Sequence, residues 1–471
     1  MTDTLITTTA TTRRRARFDP PMEELVDRVA GLVLAGDDPR VPGEVGTFNL
    51  AVTHRPDVVV GAASAEDVAV AVSWAVANRM PVAVQATGHG PVRAVEDALL
   101  VTTSRMATVE IDAGRRTARV GAGTRWADVV AAAAPYGLTG VSGSSSSVGV
   151  VGYSLGGGMG PLGRQYGFGA DQVRSIELVT ADGRIRHADA ETEPDLFWAA
   201  RGGKGNFGIA TSLEIGLVPV VTIYGGAVFY AAGSARDVLH SFRTWAPTLP
   251  ERTSPSVALL RFPPAPELPE PLRGKYVVML RFAHNDGDAE GAELLAPMLE
   301  AGEVLMSGIG ELPYTQIDAI HQDPTVPAPV WEKGALLHEL TPEAVEALLA
   351  VAGPESAPGL AMVELRLMGG ALARPPRAPN AVAGREGTYS LLTLGVLASG
   401  LEEVVPAAGE AVHAAMQPWL TGTTPLNWLG ATTTPAEVAQ AWQPDVYRRL
   451  VELKRAVDPD NVFCFGHTVG A

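Results

Sequence analysis

Residues Gly143–Gly160 read Gly-Ser-Ser-Ser-Ser-Val-Gly-Val-Val-Gly-Tyr-Ser-Leu-Gly-Gly-Gly-Met-Gly. Three short patterns overlap here. Gly152-Tyr153-Ser154-Leu155-Gly156 has the spacing of a nucleophile elbow. An elbow sets its serine between a strand and a helix, and the three glycines that follow would each cost a helix about 1 kcal/mol. Gly158-Met159-Gly160-Pro161-Leu162-Gly163 has the spacing of a dinucleotide fingerprint, with Glu177 near the expected distance. Pro161, however, sits where that fingerprint needs backbone N–H groups. Read as a whole, the stretch is a loop rich in unobstructed N–H groups and hydroxyls, of the kind that wraps a pyrophosphate. Val148, Val150, Val151, Leu155 and Leu162 recur at regular places, which a flexible linker would not need.

The stretch lies inside the longest uncharged run, Val129 to Gly163, but its Gly, Ser and Pro content excludes a spanning helix. The N-terminal MTDTLITTTATTRRRARFDPP lacks the apolar core of a secretory signal and reads as a polar arm. A cytoplasmic protein with no membrane partner is expected. Among 471 residues the net charge is −16, which excludes a nucleic-acid binder. A single cysteine, Cys464, excludes a disulfide framework and a Cys-rich metal site. Of the 36 basic residues only Lys204, Lys275, Lys333 and Lys454 are lysine.

Upstream, the pattern alternates. Strands are predicted at Asp57–Val60, Val82–Gln85 and Leu99–Thr102, with a helix after the Ser64/Asp67 cap that Pro81 stops. Val82–Gln85 runs into the loop Ala86-Thr87-Gly88-His89-Gly90. A hairpin over 108–120 and a helix from Trp126 closed by Gly137 precede the Gly/Ser stretch. Strands follow at 173–181 and 209–218, separated by a helical turn at 195–200. After Pro219 prolines crowd, with strands at 276–282 and 363–368 and a helix at 342–351. The last strong helix spans 445–457. The resulting division is an arm over 1–30, a first domain over 31–219, a second over 220–417, and a C-terminal segment over 418–471.

His89 alone reads as a loop histidine; beside the Gly/Ser stretch it becomes a nucleophilic imidazole at a nucleotide cradle. With these two stretches the chain resembles the FAD-linked oxidases of the vanillyl-alcohol oxidase/p-cresol methylhydroxylase (PCMH) type, in the berberine bridge enzyme-like branch. Gln85–Gly90 resembles the family's R-S-G-G-H-S loop, and Gly143–Gly160 its glycine signature. Arg164–Val173 resembles R-x-x-G-L-x-x-D-N-V, Arg201–Ile209 resembles R-G-G-G-G-N-F-G-I, and Tyr447–Phe463 resembles the C-terminal Y-x-R-L-x-x-L-K-x-x-Y-D-P-x-N-x-F. The resemblance implies an α+β fold: a PCMH-type FAD-binding domain of two α/β subdomains, and a discontinuous substrate domain on an antiparallel sheet covered by helices. It implies that FAD is held by Gln85, Ala86, Thr87, Gly88, His89 and Gly90, by Gly143, Ser144, Ser147, Val148, Gly149, Gly152, Tyr153, Gly156, Gly157 and Gly158, and by Ile209 and Tyr447. His89 is the expected covalent link to the flavin 8-methyl carbon.

Several positions depart from the family. Ser145 stands where a second link would need a cysteine thiolate, so a single histidyl link is expected. Gln85 and Thr87 replace the Arg and first Gly of the histidine loop, and Gln172 replaces an Asn. Pro425-Leu426-Asn427 replaces the Y-x-N stretch whose tyrosine serves the sugar oxidases.

The expected reaction is hydride transfer from an alcohol, amine or activated C–H of a small molecule, in a natural-product setting. Dioxygen would reoxidise the flavin and yield hydrogen peroxide. Alternation on 363–367 puts Glu364 and Arg366 on one face, where Glu364 could be the base; the same pattern fits a structural ion pair. Tyr447, Tyr389 and His321 are further candidates. An oligosaccharide oxidase and a redox-neutral flavin-dependent cyclase stay open as alternatives. The chain is expected to be a monomer or homodimer, with a small-molecule substrate and dioxygen as partners and no metal.

Overall fold

A computed structural model describes residues 22–357, 359–430 and 434–470. Three sheets organise it. In the first, β1 (Leu32–Ala35), β2 (Val58–Gly61), β3 (Val82–Gln85) and β4 (Leu99–Thr102) lie in the order β1-β2-β4-β3. β2 and β3 both run parallel to β4, while β1 is antiparallel to β2. The second comprises β5 (Val109–Asp112), β6 (Thr117–Gly121), β7 (Val173–Val179), β8 (Ile185–Asp189) and β9 (Ile209–Gly216), in the order β5-β6-β9-β7-β8 and fully antiparallel.

The helix Ala65–Ala77 joins β2 to β3. Ser64 caps it by accepting the Asp67 N–H at 3.2 Å. The buried Asp67 carboxylate accepts the N–H groups of Ala30, Gly31 and Ala63 at 2.7, 3.0 and 2.9 Å. That clamp holds Ala30 and Gly31 in the fold. Residues 1–21 lie outside the described part. Glu23–Arg28 is a helix whose Leu25 is buried against β2 and the helix Ala65–Ala77. Residues 22–30, expected within the arm, thus include a packed helix.

The third sheet holds β10 (Thr222–Ala231), β11 (Thr253–Arg261), β12 (Tyr276–His284), β13 (Val304–Ser307), β14 (Gly310–Pro313), β15 (Val330–Leu337), β16 (Met362–Leu367) and β17 (Tyr389–Val396). Its order is β13-β10-β12-β11-β16-β17-β15, with β14 also on β10, and every pair is antiparallel. One face is dry. Val257, Leu280, Val363, Leu365 and Leu391 pack there on the helices Ala235–Trp245, Pro342–Ala352 and Val404–Met416, through Phe242, Leu348 and Met416. Because side chains alternate along a strand, Ser256, Arg281, Glu332, Glu364 and Arg366 occupy the opposite face.

The C-terminal segment returns to the first two sheets. Leu450 of the helix Pro444–Val457 packs with Phe197 and Phe207, and the Val82 N–H donates to Val462 O at 2.9 Å. No helix among the described residues is long and apolar enough to cross a membrane.

Candidate functional site

The loop after β3 is shaped by Gly88, whose φ is +68°. A Cβ there would come within 2.8 Å of the Thr47 backbone, so only glycine fits. The turn presents His89 flat against Phe48, with ring centroids 4.2 Å apart and 13° between planes. His89 Nδ1 bonds Thr87 Oγ1 at 2.9 Å, and Nε2 lies 3.3 Å from Ser147 Oγ, which in turn bonds Ser145 Oγ at 2.8 Å. Burial, with Arg125 nearby, pushes the His89 imidazole down to about 4. It is neutral at physiological pH, the state a nucleophilic imidazole needs.

Across from His89, the Ser146 N–H and Oγ–H donate to the Asp318 carboxylate at 2.7 and 2.6 Å, which pins the serine loop to the third sheet's side of the molecule. The N–H groups of Thr87, Gly88, His89, Gly143, Ser144, Ser145 and Ser147 have no protein acceptor among the described residues. Two loops of free donors flanking a neutral imidazole make a cradle for a phosphate-bearing ligand.

The other glycines of the stretch serve packing. Gly157 and Gly158 have φ of +113° and +75°, and a Cβ on Gly158 would strike the Tyr153 ring at 2.5 Å. A Cβ on Gly156 would fall on the Asn427 amide. Ser154 lies inside the helix Val150–Leu155 rather than ahead of one, with its hydroxyl buried and unpartnered, so the nucleophile-elbow pattern has no elbow.

Three of the expected cofactor residues have side chains engaged with the protein. The Gln85 side chain is consumed by His54 Nε2 and Gly46 O, both at 3.0 Å, and so braces the histidine loop from behind. Ile209 is buried in the core beneath the first sheet. Tyr447 stacks on Trp442, and its hydroxyl accepts the Gly470 N–H at 3.1 Å. These contacts pack it against the C-terminal segment, and among the described residues it has no contact with the Glu364 group.

Over the cradle, the polar face of the third sheet carries that group. Glu364 is fully buried. Its carboxylate accepts from Arg281 Nη1 at 2.5 Å, Ser256 Oγ at 2.8 Å and Arg366 Nε at 2.7 Å. Burial alone would raise its pKa, but Arg366, Arg281 and His321 outweigh burial and hold it well below the usual carboxylate range. A carboxylate so held has little basicity, so of the two expectations for Glu364 the geometry favours the ion pair, as the anchor of two arginines, over the base. His321 is buried beside them, kept neutral by burial and by both arginines, with Nδ1 unpartnered. A small cavity here is lined by Met159, Pro161, Ser256, His321 and Arg366. Tyr153 reaches toward it with a buried, unpartnered hydroxyl, and Tyr314 OH bonds Ser142 Oγ at 2.9 Å. Tyr389 faces the helices in the dry core and is not part of the site.

A second charged pair was not foreseen. Lys204 follows the helix Pro194–Gly203 at φ +54° and ψ −136°, a backbone state that L residues rarely hold. Its Nζ donates to Asn427 Oδ1 at 3.1 Å, and its stem lies over Gly152. Asn427 Nδ2 donates to Tyr153 O at 2.8 Å. Burial lowers the Lys204 pKa, with Glu332 opposing. Burial raises that of Glu332, with Lys204 opposing. The sequence signal was Lys204 itself, in the place of a glycine.

Comparison with known proteins now bears on this geometry. A family described as FAD binding domain matches residues 56–189, and one described as berberine and berberine like matches residues 432–470. The chain is an FAD-linked oxidoreductase with a berberine-like C-terminal domain. This oxidoreductase is 27% identical over 460 residues to (R)-6-hydroxynicotine oxidase of Paenarthrobacter nicotinovorans, covering 94% of this chain and 97% of that one. Its fold is similar to that of 6-hydroxy-D-nicotine oxidase from Arthrobacter nicotinovorans (TM-score 0.78, 23% identity, 94% and 98% of the chains). It is also similar to BBE-like 1 of Physcomitrella patens (TM-score 0.81, 18% identity, 96% and 99% of the chains). FAD fits the cradle described above, because free N–H donors in two facing loops match a pyrophosphate and a neutral histidine stands at their edge.

Proposed function

We propose that the oxidoreductase uses FAD carried on a single histidyl link at His89 to oxidise an alcohol, amine or activated C–H of a small molecule. In this reading dioxygen accepts the electrons and leaves as hydrogen peroxide. Residues 31–219 and 418–471 form the cofactor half, and 220–417 the substrate half. The observation that carries the reading is His89 itself, neutral and held flat on Phe48 between Thr87 and Ser147, at the mouth of the unbonded N–H cradle.

The flavin supplies a two-electron acceptor for a substrate C–H bond. The chain does the rest. The N–H groups of Thr87, Gly88, Gly143 and Ser144 would bind the phosphates, and Asp318 fixes the serine loop by holding Ser146. Arg366, anchored by Glu364, presents a fixed positive charge from the roof and would orient an electron-rich substrate atom. Met159, Pro161 and Leu372 line the adjoining wall.

Acid denaturation and sedimentation of the purified protein tests the link. A yellow pellet from wild type and a colourless one from His89→Ala are expected. A colourless wild-type pellet under a yellow supernatant would remove the covalent assignment while leaving the flavoprotein. Peroxide release on a panel of amines, alcohols and sugars then tests the oxidase chemistry.

A further inference from the structure

Glu332 lies on the same face of the third sheet as Glu364, but two strands away. It pairs with Leu394 of β17, which pairs in turn with Met362 of β16. Two strand spacings put it about 10 Å to the side of the arginine group. Its environment is the opposite of theirs. The carboxylate has no hydrogen-bond partner among the described residues and is only half-buried. Beneath β15 runs the turn Leu426–Trp428, with Gly430 packed on the Glu332 backbone and Trp428 on Gly334. From the far side of the same turn Asn427 holds Lys204, which rests on the helix Val150–Leu155 of the cradle. Among the described residues the charged group whose field reaches Glu332 is Lys204, and the two form no ion pair. Lys333, next in sequence, projects from the other face to Glu410 at 2.8 Å.

We propose that Lys204 and Glu332 form the seat of the substrate's reacting heteroatom, an amine nitrogen or alcohol oxygen, with Glu332 as its proton acceptor. Lys204 comes from the cofactor half and Glu332 from the substrate half, so a group placed between them lies at the boundary of the two. The heteroatom's N–H or O–H donates to Glu332, and its lone pair accepts from Lys204 Nζ. In the reaction the C–H electron pair leaves as hydride to the flavin, the heteroatom's proton passes to a Glu332 oxygen, and a C=N or C=O bond forms. The substrate is oxidised by two electrons and the flavin is reduced by two. An unpartnered, half-buried carboxylate is suited to this, whereas Glu364, already accepting from two arginines and a serine, is not.

The inference rests on the oxidase reading, so two readouts separate them. Without substrate, the visible absorbance of the bound flavin is titrated from about pH 5 to 9 in wild type, Glu332→Gln and Lys204→Met. One step is expected in wild type, none in Glu332→Gln, and a step moved to higher pH in Lys204→Met, where the opposing cation is gone. A wild type without the step, or a Glu332→Gln that keeps it, overturns the seat. With whichever amine or alcohol of the panel reduces wild type, anaerobic reduction of Glu332→Gln should be slower by about 100-fold or more, with the dissociation constant within about threefold. Glu332→Asp should recover part of that rate, and Lys204→Met should weaken binding about tenfold. Equal reduction rates and pH profiles in wild type and Glu332→Gln overturn the proposal. Reduction of wild type by no amine or alcohol defeats the oxidase reading instead, and the titration still decides whether Glu332 ionises against the flavin.

Discussion

Two glutamates share one face of one sheet and have opposite fates. Glu364 accepts from two arginines and a serine, and is fully buried. Glu332 has an opposing lysine but no bond to it, and stays half-open. The first has spent its charge on structure; the second keeps it in reserve. What separates them is the neighbouring strands. β11 and β12 bring Ser256 and Arg281 to Glu364, whereas β15 is the last strand on its side, and Glu332 has only Leu394 beside it. A carboxylate at the centre of a sheet can be surrounded by its own sheet, while one at the margin waits for something from outside.

The largest test of this contrast is Glu364→Ala. It strands two buried guanidiniums and should cost about 3–5 kcal/mol in chemical unfolding. A loss under about 1 kcal/mol would mean that the arginine group is not holding the sheet, and would erase the distinction. A smaller effect of opposite sign is expected for Lys204→Gly. It relieves a backbone state that costs a non-glycine residue roughly 1–3 kcal/mol, so unfolding should show a gain near 1 kcal/mol. The same variant should bind substrate more weakly. A variant that gained stability and lost nothing would make Lys204 an accident of sequence.

The smallest effect is a slope. The folded chain keeps the Glu332 proton to a higher pH than the unfolded chain does, so the stability tied to that proton is present below the ordinary carboxylate range. It is lost as pH rises through the raised value. Glu332→Gln should flatten that decline and match wild type in more acidic solution. A decline of unchanged steepness would place the titration on some other group.

The two halves were unequally legible in the sequence. The histidine loop and the Gly/Ser stretch announce themselves because their backbone paths need particular residues, Gly88 above all. The third sheet was largely hidden. β10 is buried on both faces and contains Gly225-Gly226, so it shows neither alternation nor a clean apolar run. β11 carries Pro255, which argues against an inner strand; it is tolerated because pairing with β16 starts only at Ser256. The alternation at 363–367 did set Glu364 and Arg366 on one face, yet pattern alone could not tell a base from an ion pair, since Arg281 arrives from two strands away. The pairing of Lys204 with Glu332 had no local signature, because a turn at 426–428 from a third segment brings them together.

That turn has a consequence for how the protein is made. Asn427 grips the Tyr153 carbonyl from 274 residues further along the chain. A ribosome delivers the cradle's glycines long before it delivers the residue that fixes them. Lys454, which bonds Asn206 O and Phe463 O, arrives later still. The anchoring of Tyr153 and Asn206 is therefore completed only once the C-terminal segment has been made, and a chain cut short before Asn427 lacks both bonds.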